Sequence, residues 1–359
     1  MDRITIKEAC TLLGVSRPTF NAYRQKYQLS EVRLGGKIRL SKTEIIEKVI
    51  LPAGDVEKTH SLSLISEDNI KKIQPLPGVY DLRRIQGIDA YGVLGLLCSI
   101  KAHLNQSENN SVSLLVDGLP FCSYLEAIGF FTEVQRAHHS RVSYNATALR
   151  ARALSRSAVI LPLHLIGYRG AEKKILDELY DPLLKQGFSE SYCGHIGWII
   201  GELCDNAHTH SGGPCYLIIE ALELTSTATR FLTIAVGDIG IGIPASLKNN
   251  PKYSNLRDDV LLPMAFQSEV SRMEVEPKRG KGLNDVMAIG KGNSSWLKVE
   301  TGGLAMMFDF RGGQDKITFT HPIAQASGTR FGLVLIDSEF EKFSRASINE
   351  IVDKFMGNT

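Results

Sequence analysis

The most constraining stretch of this chain is an alternating strand, Phe231 to Val236, that runs directly into Gly237-Asp238-Ile239-Gly240-Ile241-Gly242-Ile243-Pro244. An acid at the mouth of a buried strand can accept a hydrogen bond from an exocyclic amine such as that of adenine. Glycines after it let backbone pass close to a flat ring, because no β-carbon stands in the way. A Rossmann fingerprint fits poorly: Gly240-x-Gly242 has no third glycine, and no helix is expected promptly after Pro244.

Upstream, Gly201-Glu202-Leu203-Cys204-Asp205-Asn206-Ala207-His208-Thr209-His210 reads as part of a helix from His195 to His208. Glu202 and Asn206 are one turn apart and share a face. An amide oxygen beside a carboxylate suits Mg²⁺, a hard ion that takes oxygen ligands, and the carboxylate can orient or deprotonate a water. Many solvated helix faces carry such a pair, so the neighbours decide its meaning. Downstream, Arg279-Gly280-Lys281-Gly282-Leu283-Asn284 is a glycine turn opening a helix, where backbone N–H groups can cradle phosphates. It is not a Walker A loop, since Gly282 follows Lys281 where Ser or Thr is required. Last comes Ser327-Gly328-Thr329-Arg330 before a strand to Ile336.

In this order, the four motifs resemble the GHKL superfamily of histidine kinases, gyrase-type ATPases and heat-shock chaperones. The resemblance covers about half the chain, residues 170 to 340. It implies a Bergerat-type α/β sandwich with helices on one face of a mixed sheet, binding ATP with Mg²⁺. It assigns Asn206 to Mg²⁺, Asp238 to adenine, Gly240, Gly242, Gly280 and Gly282 to base and phosphates, and Thr329 to the adenine side. Lys281 in the phosphate turn and His210, where kinase-like and anti-sigma-like members often carry a His, join the nucleotide-binding set. Glu202 takes the place of the general base, and Pro244 to Arg279, which has little periodicity, that of an ATP lid.

The first fifty residues carry ten bases against five acids, although the whole chain has a formal charge of only +2. Any basic surface is therefore local. Thr5 and Glu8 have capping-box spacing, Pro18 falls in the first turn of a second helix, and Val32 to Leu40 around Gly35-Gly36 reads as a hairpin. This segment resembles a MerR- or excisionase-like winged helix-turn-helix. Its first helix is expected to begin with Ile4-Thr5-Ile6, and a third to follow Ser41. Arg17, Thr19, Asn21 and Arg24 lie where base edges and phosphates are met, and Arg33, Lys37 and Arg39 suit backbone phosphates. Such modules also mediate protein contacts. A lone copy binds DNA weakly, so specific recognition implies a homodimer reading two half-sites.

Residues 51 to 73 have the composition of a linker. Residues 74 to 165 read as mixed α/β: a helix from Asp89 to Leu104, a strand Ser113 to Val116, a helix Cys122 to Phe130 and a strand from 158 to 166. This segment resembles STAS-like domains of bacterial partner-switching systems, which implies a protein partner, although the usual loop has no convincing phosphoacceptor serine. The closing segment, 341 to 359, contains an amphipathic helix from about Arg345 to Phe355.

At 43% apolar and 22% charged residues the composition is ordinary for a soluble globular protein, and the alternation of expected helices and strands gives the class α/β (α+β). The six cysteines form no C-x-x-C pair, and the N-terminus has no apolar signal core. A reduced, cytoplasmic, membrane-free protein is expected. A zinc site from Cys204, His208, His210 and Cys215 is disfavoured, because His210 points off the shared helix face and Cys215 lies beyond a Gly-Gly-Pro turn. The expected function is an ATP-switched, DNA-binding bacterial regulator. The alternatives are an anti-sigma-like serine/threonine protein kinase that docks through its N-terminal module, and a nucleotide-triggered effector in bacterial or phage conflict.

Overall fold

The computed structural model describes residues 3–13, 17–26, 28–34, 36–41, 45, 73–85, 88–116, 122–144, 159–224, 229–270, 282–311, 315–320, 327–337, 343 and 345–357. The expected linker, 51 to 73, lies almost wholly outside them, as does all but Ile45 of the helix expected after Ser41. The class is α+β, with three sheets.

The N-terminal module comprises β1 (Arg3–Thr5), α1 (Ile6–Leu13), α2 (Arg17–Lys26), β2 (Glu31–Leu34) and β3 (Lys37–Ser41). Its sheet order is β1-β3-β2, all antiparallel. The expected capping box is present: Thr5 N donates to Glu8 Oε2 at 2.7 Å and Glu8 N to Thr5 Oγ1 at 3.2 Å. The first helix begins only at Ile6, because Arg3 to Thr5 pair with β3 as a strand. Ala9, Phe20, Leu29, Leu40 and Ile45 form its small core.

The next segment builds a parallel sheet from β4 (Val79–Asp81), β5 (Val112–Leu115) and β6 (Val142–Tyr144). Between its strands lie α3 (Ala90–Gln106), α4 (Cys122–Ala127) and α5 (Phe130–Gln135). The single helix expected from Cys122 to Phe130 is two, broken where Gly129 takes φ +80°. Asp89 caps α3, accepting from Gly92 N at 2.8 Å. The helix is apolar nearly all round, AYGVLGLLCSI, and such a helix must be buried on more than one side.

Its second side is the larger sheet. β7 (Val159–Ile166), α6 (Glu172–Lys185), α7 (Glu190–Ser211), β8 (Cys215–Leu224), β9 (Thr229–Asp238), α8 (Ile243–Leu247), α9 (Asp258–Met264) and α10 (Gly282–Gly292) come first. Then follow β10 (Trp296–Thr301), β11 (Leu304–Asp309), β12 (Lys316–Thr320), β13 (Thr329–Ile336) and α11 (Arg345–Gly357). The sheet order is β12-β11-β10-β13-β9-β8-β7, and each neighbouring pair is antiparallel.

Three expectations are corrected here. The sheet is antiparallel rather than mixed. The strand read within residues 74 to 165 pairs with β8, so β7 extends the larger sheet. Helices cover both faces: α6, α7, α10 and α11 share one core with the front, while α3 packs its apolar length on the back, against β8, β9 and β13. Two glycines allow that approach. A β-carbon on Gly332 would overlap the Tyr91 ring, and one on Gly237 would stand 3.0 Å from Leu94 Cδ2.

Charged groups join α3 to this back face. Glu220 on β8 accepts hydrogen bonds from Ala90 N (3.1 Å) and the Tyr124 hydroxyl. Arg330, 2% exposed, pairs with Glu300 at 2.9 Å, and Glu300 also pairs with Lys298 at 2.7 Å. Among the described residues, no helix is long and apolar enough to cross a membrane.

Candidate functional site

Alternation along β9 sends Ile234 and Val236 into the front core and Ala235 into the back one. Asp238 therefore closes the strand on the front face. It is 4% exposed, and burial pushes its carboxyl up to about 6. That rise is opposed by hydrogen bonds from the backbone N–H of Gly240 (2.7 Å) and of Thr329, and by the Arg330 charge.

Around this acid the chain passes too closely for side chains. A β-carbon on Gly328 would overlap the Asp238 carbonyl, and one on Gly240 would overlap Ser211 at the end of α7. Gly328 and Gly242 also take φ of +77° and +82°, where a β-carbon is strained in itself. A β-carbon on Gly242 would lie 2.7 Å from Thr301 Oγ1. Cross-strand register sets Thr301 opposite Thr329, their hydroxyl oxygens 3.1 Å apart, and Thr301 Oγ1 accepts from Ile243 N at 2.9 Å. Thr301 was missed by sequence reasoning, since a threonine before Gly-Gly at a strand end carries no motif. A short helix, α8, does follow the glycines at once, with Pro244 in its first turn, contrary to expectation.

The second half of the site lies on α7, which Ser189 caps and left-handed Gly212 ends. Glu202 and Asn206 face the start of α10: a β-carbon on Gly282 would overlap Glu202 Oε2 and lie 3.6 Å from Asn206 Nδ2. Burial raises the Glu202 carboxyl above its ordinary value, Asp205 and Asp285 add to the rise, and Arg345 opposes it. Among the described residues, Asn206 Nδ2 and Thr209 Oγ1 are buried without a hydrogen-bond partner. Such orphans cost roughly 1–3 kcal/mol each when nothing fills the gap.

Ser211 links the two halves. From Glu202 to Ser211, α7 rises by about 14 Å, at ~1.5 Å per residue. Glu202, Asn206 and Gly282 thus form one cluster, and Asp238, Gly240, Gly242, Gly328 and Thr329 form another, in which Gly240 abuts Ser211 at the end of α7. Gly280 and Lys281 lie outside the described residues, as does the His210 side chain. The stretch from Leu247 to Arg279, which reads as polar and poorly periodic, contains α9; two leading acids and a proline hide its seven residues from any periodicity.

Cys215 does approach His208, with Sγ 3.8 Å from Nε2, and it hydrogen-bonds Cys204, contrary to the expected separation. Among the described residues, however, no group of three or more His, Cys, Asp or Glu side chains is placed to hold a metal. All six cysteines are free thiols.

In the N-terminal module Arg17, Asn21, Arg33 and Lys37 are exposed, while Arg24 and Arg39 are half-buried. Arg24 binds Glu31 (Nε to Oε1, 2.7 Å) and Asn21 (3.1 Å), and Arg39 lies 3.9 Å from Glu8. The Thr19 side chain lies outside the described residues. A family model described as a helix-turn-helix domain matches residues 4–47. No curated protein matches the chain. Over residues 4–47 the chain is similar to that helix-turn-helix family.

Proposed function

We propose that the front of the seven-stranded sheet is a GHKL-type site for ATP and Mg²⁺, and that its occupancy switches a DNA-binding protein. The observation that carries this reading is the meeting of Glu202, Asn206 and Gly282, from segments about eighty residues apart. Beside the start of α10, the buried Asn206 amide has no hydrogen-bond partner among the described residues.

The turns at Gly240, Gly242, Gly282 and Gly328, whose backbone carries no β-carbon, and the buried Asn206 amide, which has no hydrogen-bond partner among the described residues, support a site for a flat base and a phosphate chain. Asp238 and Thr329 would hold the base edge, and the open backbone of Gly240, Gly242 and Gly328 its faces. Asn206 would hold the metal, with the N-terminus of α10 at the phosphates. Bound Mg²⁺ supplies positive charge to the terminal phosphates. Glu202, ionised, accepts a proton from the attacking water, and the burial that raises its basicity favours that role. Asp238 accepts from an exocyclic amine only through an oxygen free of its own proton. Nucleotide affinity should therefore fall as pH drops through about 6.

The DNA half of the reading rests on the helix-turn-helix match and on exposed Arg17, Arg33 and Lys37. The Glu31 pairing of Arg24 reduces its availability to phosphate, so these three should carry most of the salt dependence. A homodimer places two modules on two half-sites, and the segment resembling STAS-like domains offers a docking surface for a protein partner.

A thermal-shift series with Mg²⁺ and ATP, ADP or GTP tests the nucleotide half. At a hundredfold excess over Kd the stabilisation is about 2.7 kcal/mol. No shift with any adenine nucleotide would remove the reading. For the DNA half, replacing Arg17, Arg33 and Lys37 should flatten the dependence of binding on salt. Absence of DNA affinity even at low salt would leave the module to protein contacts.

A further inference from the structure

Three segments remote in sequence meet on one side chain, Thr301, beside the cluster that contains Asp238. Thr301 ends β10, is fully buried, and is set opposite Thr329 by the register of β10 and β13. Its hydroxyl oxygen accepts from Ile243 N at 2.9 Å and lies 3.1 Å from Thr329 Oγ1. The turn before α8 presses on the same oxygen. A β-carbon on Gly242 would stand 2.7 Å from Thr301 Oγ1 and 3.3 Å from the Gly328 carbonyl oxygen. On the other side of that turn, a β-carbon on Gly302 would lie 3.7 Å from the Pro244 ring. One hydroxyl thus ties the glycine turn after Asp238 to the strand pair.

Hydrogen-bond capacity gives this hydroxyl a direction. A threonine donates one proton and accepts two. Thr301 Oγ1 accepts from Ile243 N, and among the described residues the one acceptor bonded to it is Thr329 Oγ1. The reverse arrangement would bury the Thr301 proton with no acceptor, the costlier choice. Thr301 therefore donates and Thr329 accepts, which leaves the Thr329 proton for a group other than Thr301. Thr329 is itself only 5% exposed, and its backbone N–H already donates to the Asp238 carboxyl.

We propose that Thr301 is a positioning residue for the base of the ligand: it fixes the Gly242–Ile243 turn and keeps the Thr329 proton for an acceptor on the base edge. The edge so selected carries an acceptor for Thr329 beside the donor that Asp238 takes. This deepens the nucleotide reading and rests on it for the ligand. The hydrogen bonds of Thr301 reach none of Glu202, Asn206 and Gly282, so its loss should be felt by the base and not by the phosphates.

Calorimetric titration of the full chain with ATP and with inorganic tripolyphosphate, each with Mg²⁺, separates the base from the phosphates. Thr301→Val keeps the side-chain shape and removes the hydroxyl. It should weaken ATP by about threefold to tenfold, the range of one net hydrogen bond, and leave tripolyphosphate unchanged. Thr301→Ser should restore ATP binding. In a Thr329→Val background, Thr301→Val should cost less than it does alone, because its partner hydroxyl is already gone. Without any ligand, the Ile243 amide should exchange its proton faster in Thr301→Val than in wild type or Thr301→Ser. An equal loss for ATP and tripolyphosphate would reduce Thr301 to a structural role and overturn the inference. So would unchanged ATP affinity, or an Ile243 amide that exchanges alike in all three proteins. Those results in a wild type that binds both ligands would leave the nucleotide reading standing. A wild type that binds neither would end that reading, and the role of Thr301 in holding a base with it.

Discussion

On the back of the seven-stranded sheet, Gly237 and Gly332 lie beneath Leu94 and Tyr91, so the room they open is filled by α3. On the front, Gly240, Gly242, Gly282 and Gly328 are crowded by the chain as well: β-carbons there would meet Ser211, Thr301, Glu202 and Asp238. Both faces also carry buried polar groups. Arg330, Glu300 and Lys298 on the back neutralise one another. On the front, burial raises the Asp238 carboxyl to about 6, and Asn206 Nδ2 and Thr209 Oγ1 have no hydrogen-bond partner among the described residues. Glycine thus marks close approach in both places. What separates the two faces is the kind of group that crowds the glycines: apolar side chains of α3 on the back, and backbone, hydroxyl and carboxylate atoms from several segments on the front.

If that contrast holds, the largest effect comes from the back. Glu300→Ala leaves Arg330 and Lys298 without their buried acid, and urea unfolding should show a loss of about 3–5 kcal/mol, the usual cost of breaking a buried pair. Next, Gly332→Ala forces a methyl into the Tyr91 ring and should cost about 1–3 kcal/mol, by the same measurement. A loss below about half a kcal/mol would mean that α3 does not press on the sheet as described.

Front-face changes should separate stability from binding. Asn206→Ala removes an unsatisfied amide, so apo stability should stay within about 1 kcal/mol of wild type or rise. MgATP affinity should fall at least tenfold, which is about 1.4 kcal/mol by calorimetry. The last effect is a matter of pH. The folded proton affinity of Asp238 is raised to about 6, so this group's contribution to stability declines as pH rises from about 4 to about 6. Asp238→Asn should flatten that part of the stability profile, and an unchanged slope would show that the acid is not buried as described.

Periodicity made much of this legible. Glu202 and Asn206 declare a shared face through their spacing, and FLTIAV before Gly237 declares a strand ending at Asp238. Antiparallel β8 and β9 follow from adjacency in the chain. Other features depend on partners distant in sequence. Nothing near Val159 shows that β7 pairs with β8 across the length of α6 and α7. The apolar run in α3 shows that it is buried, but not that its second side is another sheet. Thr301 matters only because strand register sets it against Thr329. Arg24 reads as a phosphate contact until Glu31, seven residues on, is seen to hold it.

The most direct test is calorimetric titration of MgATP into wild type and Gly282→Ala, alongside their unfolding temperatures without ligand. The added methyl meets the flexible end of Glu202, so the apo proteins should unfold within a few degrees of each other, while the variant should lose at least tenfold in affinity. Equal affinities, or no binding heat in wild type at any temperature tried, would contradict the claim that the front glycines make room for a nucleotide.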